Sequence, residues 1–137
     1  MRRFPNQPFW QVNDMTIAID SKAILIVEDE AFIRFDLVDF FQDAGYDVYD
    51  AEDSASAIVL LKANPVIRIV LTDVQMPGSM DGVKLAHYIR DRYPPTLLVV
   101  ASGVARPTPA ELPEGALFIA KPFDTRSLLV AIERAAA

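Results

Sequence analysis

An α/β fold, with a parallel sheet doubly wound by helices on both faces, follows from two patterns in this chain. Five short apolar runs rich in Val, Ile and Leu recur along it, and stretches of helical period lie between them. Strands that alternate with helices pair in parallel through right-handed crossovers, which puts helices on both faces of the sheet. At 137 residues a single domain is expected. A folded chain of that size buries roughly two thirds of the surface its unfolded form exposes, enough for a core without staples.

The apolar runs lie at 23–27, 46–49, 67–71, 96–101 and 116–119. Most are too short for helices, and they read as strands buried on both faces. After the first, Ile33, Leu37, Phe40, Phe41 and Ala44 recur at helical spacing, and Gly45 is placed to end that helix. Ala57, Ile58 and Leu61 make a second stripe, which stops before Pro65. Val83, Leu85, Ala86 and Ile89 make a third, with Asp81 as its N-cap. Leu128, Leu129 and Ile132 make the last, opened by Asp124 in the same role. Residues 1–21 carry Pro5 and Pro8 with no sustained period, and read as a flexible N-terminal arm ahead of a domain spanning 22–137.

Composition excludes several classes of function. The net charge is −6, with 13 Lys and Arg against 19 Asp and Glu, so the chain lacks the basic face that a nucleic-acid partner requires. With no cysteine there is no disulfide framework, no thiol nucleophile and no thiolate metal site. No apolar run approaches the roughly 20 residues of a membrane span. Arg2 and Arg3 are not followed by the apolar core of an export signal. A cytoplasmic protein is the expectation.

In doubly wound sheets the ligand site lies beyond the carboxyl ends of the strands. The first strand runs into Glu28-Asp29-Glu30, the third into Thr72-Asp73, the fourth into Ser102-Gly103, and the fifth is followed by Lys121-Pro122-Phe123. Carboxylates gathered in a partly buried pocket repel one another, and a hard divalent cation relieves that repulsion. Mg²⁺, or Mn²⁺, suits such oxygen donors, with Asp29 and Asp73 as direct ligands. Glu28 is one methylene longer and is expected at the rim or bound through water. Phosphoryl transfer depends mostly on positioning and charge neutralisation. Asp73 is then the nucleophile, while Lys121 and the Ser102 hydroxyl neutralise phosphoryl oxygens. Taken singly, each residue has an ordinary reading as cap, turn or solvated charge; the convergence of four strand ends is what carries the assignment.

The segments ILIVEDE, VLTDVQMPGSMDG, VVASG and FIAKPF, in that order, resemble the receiver domains of two-component response regulators. The resemblance covers roughly residues 22–136. It implies the flavodoxin-like strand order 2-1-3-4-5, which the residue pattern alone does not supply. It implies that Asp73 accepts a phosphoryl group from a histidine kinase or histidine phosphotransfer protein. It makes Glu28 and Asp29 the acidic pair, and makes the Gln75 backbone carbonyl a further metal ligand. Ser102 becomes the switch hydroxyl, Lys121 the phosphoryl-binding lysine and Phe118 the aromatic that follows Ser102. Gln75 and Val104 take the two variable positions that shape access of water.

Three departures from the family pattern stand out. MPGSMDG is one residue longer than the commonest form of that loop, and Glu28 replaces the commoner Asp. The segment 103–115 is short, with prolines at 107, 109 and 113, so a fourth helix of the usual kind is expected to shrink to a turn near 109–112 or to a loop. That face ordinarily carries output or dimer contacts, so a homodimer is allowed but its geometry is left open.

With no length left for an output module, a stand-alone regulator that binds a downstream protein or relays phosphate is expected. That makes it a signalling receiver rather than an enzyme. A dehalogenase-type phosphatase would need an acid where Gln75 stands, and a flavodoxin would need a Ser/Thr-rich phosphate cradle where Glu28-Asp29-Glu30 stands. A receiver reduced to partner binding would typically lack Asp29, Asp73 or Lys121, all present. His87, the lone histidine, reads as a structural residue on the third helix.

Overall fold

The computed structural model describes residues 22–136 except 77, 79 and 104–106. The arm at 1–21 and the variable position Val104 therefore lie outside the described residues. Five strands, β1 (Ala23–Val27), β2 (Asp47–Ala51), β3 (Ile69–Asp73), β4 (Leu97–Ser102) and β5 (Leu117–Ala120), form one sheet in the order β2-β1-β3-β4-β5. Every neighbouring pair is parallel. Four helices connect or follow them: α1 (Ala31–Asp43), α2 (Ser54–Ala63), α3 (Gly82–Arg92) and α4 (Thr125–Ala136). Among the described residues no helix is long and apolar enough to cross a membrane.

The sheet separates two apolar layers. On one face Ile24, Ile26, Ile69, Leu71 and Val99 pack with Leu37 and Phe41 of α1 and Leu128 and Ile132 of α4. On the other, Leu25, Val27, Val70, Leu98 and Val100 pack with Ala57 and Leu61 of α2 and Leu85, Ala86 and Ile89 of α3. Interior β1 is buried along its whole length, as a strand covered on both faces must be. At the edges, β2 and β5 are only partly covered.

The helix starts follow the local chemistry. Asp81 Oδ1 accepts from the Lys84 N–H at 2.9 Å and Asp124 Oδ2 from the Ser127 N–H at 3.2 Å, as expected. Asp53 caps α2 in the same way, accepting from the Ser56 N–H at 2.8 Å. Gly45, at φ +93°, turns the chain after α1.

The third, fourth and fifth strands begin and end later than their apolar runs. Pairing continues past the last aliphatic residue, with Asp73 opposite Ala101 and Ser102 opposite Ala120. Backbone hydrogen bonds set the end of a strand, and side-chain hydropathy does not.

Between β4 and β5 the expected loss of a regular helix is realised as one 3₁₀ turn over Pro109–Glu111. The Glu111 carboxylate accepts from the Thr108 N–H at 2.7 Å, which tightens the turn. Two residues of α3 hold this segment. His87 Nε2 lies 2.7 Å from the Glu111 carbonyl, and Arg90 Nε donates to the Glu114 carbonyl at 3.0 Å. His87 thus has the structural role expected of it.

Candidate functional site

Strand alternation builds the site. Ile24 and Ile26, Ile69 and Leu71, and Leu117 and Ile119 lie in the layer shared with α1 and α4. Two residues further along each chain stand Glu28, Asp73 and Lys121. The same period-two alternation therefore carries all three polar side chains to one edge.

There the Lys121 ammonium bridges two carboxylates, 2.9 Å from Glu28 Oε1 and 3.1 Å from Asp73 Oδ2. Asp29 completes the cluster: oxygens of Glu28, Asp29 and Asp73 all lie within 4.8 Å of one another. Asp29 is exposed, Asp73 is half-buried and Glu28 is 3% exposed. The expectation that Glu28 would sit at the rim does not hold. Its Oε2 accepts the Glu30 N–H at 3.0 Å while Oε1 takes the ammonium, and those two bonds compensate its burial.

Burial pushes the Glu28 carboxyl above its usual range, and the Glu30 N–H and Lys121 offset only part of that. For Lys121 burial works against the charge, but the hydrogen bond to Glu28 and the charge of Asp73 outweigh it and raise the lysine. Three carboxylates around one ammonium leave an excess of negative charge. All the donors are hard oxygens, so the residues fit a small divalent cation.

Ser102, at the end of β4, is 1% exposed, and its hydroxyl has no hydrogen-bond partner among the described residues. A buried hydroxyl without a partner is uncommon and calls for an explanation. Phe118 pairs in register with Val100, two positions before Ser102, which puts Phe118 and Ser102 on the same face of the sheet. Phe118 is half-buried and lines a groove with Pro107, Leu112 and Pro113. Gln75 is exposed, two residues beyond Asp73.

Some residues that shape the site were not singled out by sequence reasoning. Arg34 donates to the Glu28 carbonyl at 2.8 Å and to Asp50 Oδ2 at 3.0 Å, tying the acidic turn to β2. The Thr72 hydroxyl donates to the Asp73 carbonyl at 3.0 Å. Gly82 opens α3 so close to the Asp73 carbonyl and the Val74 Cα that an added Cβ would overlap both. The DG pair at 81–82 was a legible signal, since glycine permits a close backbone approach. The partners of Arg34 and Thr72 have no local signature.

Residues 24–133 match the family model of the response regulator receiver domain. The response regulator protein FleR of Pseudomonas aeruginosa is 38% identical over 114 residues, 81% of this chain but 24% of FleR. The response regulator receiver protein CpdR of Brucella abortus is 34% identical over 116 residues, which make up 82% of this chain and 95% of CpdR. The crystal structure of a response regulator receiver protein from Sinorhizobium medicae aligns at a TM-score of 0.79 with 28% identity, covering 86% of this chain and 96% of that one.

Proposed function

Because this chain belongs to the response regulator receiver domain family, we propose that it is switched by a phosphoryl group on Asp73, supplied by a histidine kinase or histidine phosphotransfer protein. The observation that carries the reading is the Lys121 ammonium held at hydrogen-bond distance from Asp73 and Glu28 together. Receivers of this kind belong to two-component signalling and are not enzymes in the ordinary sense.

Lys121 engages Asp73 Oδ2, which leaves Oδ1 as the nucleophilic oxygen. Oδ1 attacks the phosphorus of a phosphohistidine, the phosphorus–nitrogen bond breaks, and its electron pair returns to the imidazole. The ammonium of Lys121 and the unpartnered hydroxyl of Ser102 are the groups placed to take phosphoryl oxygens. Once Ser102 donates there, Phe118 on the same face is the side chain to follow it, which would alter the groove beside it. A divalent cation, Mg²⁺ or Mn²⁺, held by Asp29, Asp73 and the Gln75 carbonyl with Glu28 behind them, would supply the remaining neutralisation of charge.

The receiver unit is assigned to residues 22–137, acting in the cytoplasm on a downstream protein.

Intact-mass measurement after incubation with acetyl phosphate and Mg²⁺ tests the reading. One added phosphoryl group, lost when EDTA is present from the start and absent from Asp73→Asn, is expected. No addition, together with no binding of beryllofluoride, would sink it.

A further inference from the structure

The loop that joins Asp73 to α3 carries Gln75, and its residues 74–76, 78, 80 and 81 are described. Its base is closed tightly: Gly82 N–H donates to the Val74 carbonyl at 2.8 Å, and the Val74 N–H donates to the Ala101 carbonyl at 2.9 Å. Its far end is held from a different helix. The Ser54 hydroxyl, at the start of α2, donates to the Met80 carbonyl at 3.0 Å, across 26 positions of sequence.

Ser54 is unusual for a serine at a helix start. The capping role belongs to Asp53, whose carboxylate accepts the Ser56 N–H. The Ser54 hydroxyl is thereby free for a tertiary bond, and the residue is 3% exposed. Among the described residues its partner is the Met80 carbonyl. Met76 and Met80 also pack on the apolar layer that holds Ala57 and Leu61 of α2.

We propose that Ser54 is a positioning residue for the cation site: its hydroxyl pins Met80, at the far end of the loop that presents the Gln75 carbonyl. The proposal rests on the reading of Glu28, Asp29, Asp73 and Gln75 as a cation site. A loop held at its base alone keeps freedom that must be lost when a ligand binds. A second anchor removes that freedom beforehand.

Mn²⁺ is the probe, with affinity measured by electron paramagnetic resonance on the full chain and melting temperature recorded in parallel. Wild type should bind Mn²⁺ and Asp73→Asn should bind it much less. Ser54→Ala should weaken binding about three- to ten-fold, the scale of one net hydrogen bond. Leu61→Val loosens the far end of the same helix; it should lower the melting temperature and leave the affinity within about two-fold.

Equal affinity in Ser54→Ala and wild type overturns the positioning role. So does a Leu61→Val variant that loses as much affinity as Ser54→Ala, since the effect would then be general loosening. A wild type that takes up no Mn²⁺ overturns the cation site itself, and the inference with it. Should Ser54→Ala fail to fold, Ser54→Cys, of similar volume and weak as a donor, is judged by the same criteria.

Discussion

Lys121 and Glu28 stand 93 positions apart in the chain and meet at 2.9 Å, joining the loop after β5 to the turn after β1. The same ammonium reaches Asp73 at the end of β3, so one side chain ties three strand ends together. Lys121→Met should therefore cost stability as well as phosphorylation, because Glu28 is left buried without its counter-charge. Urea denaturation should show a loss of about 2–4 kcal/mol, somewhat discounted because the lysine is partly exposed. The double variant Glu28→Gln/Lys121→Met should recover part of it. A double variant no more stable than Lys121→Met alone would show that the pair is not coupled.

Gly82 is the first residue of α3 and has no space for a side chain against Asp73. Gly82→Ala should displace either the helix start or the Asp73 backbone, at about 1–3 kcal/mol. Phosphorylation by acetyl phosphate should slow at the same time. An alanine variant with unchanged stability and rate would mean that the close approach relaxes freely.

Arg90 links α3 to the segment that replaces a fourth helix. Besides Glu114, its guanidinium donates to the carbonyls of Pro94 at 2.6 Å and Thr96 at 2.7 Å. Arg90→Ala should destabilise the protein by about 1–3 kcal/mol. Hydrogen exchange should quicken selectively over 109–116 rather than in β1. Uniform acceleration across both regions would contradict a local anchoring role.

Asp53 and Asp124 each have a pKa held below the ordinary carboxylate value of 3.8. For Asp53 the backbone N–H of Ser56 is the main cause; for Asp124 it is the hydroxyl of Ser127, followed by its N–H. A depressed folded pKa contributes stability that is present above the unfolded value and lost as pH falls through the folded one. The gap in melting temperature between wild type and Asp53→Ala should thus be constant near neutrality and shrink as pH falls below 3.8. A gap that stays constant down to full protonation would mean that the ionised carboxylate adds nothing as a cap.

Much of the architecture was legible because its causes are local. The aliphatic runs, the helical stripes ending at Gly45 and before Pro65, and the caps at Asp81 and Asp124 are short-range features of the chain. The prolines at 107, 109 and 113 likewise forecast the short 3₁₀ turn at Pro109–Glu111. Strand order was a different matter: parallel pairing joins residues far apart, and only the family resemblance supplied it.

At the site, the sequence by itself determined which chemical groups arrive at one edge of the sheet, since each follows directly from the end of a strand. How those groups are satisfied was decided by the tertiary structure alone. Glu28 turns inward because Lys121 comes to meet it from across the sheet. Arg34 holds the acidic turn, Ser54 finds Met80, and Arg90 binds the segment after β4, each through a contact with no trace in nearby residues. A polar side chain near a core takes whichever partner folding brings within reach, because leaving it unpaired costs more than almost any local preference can offset.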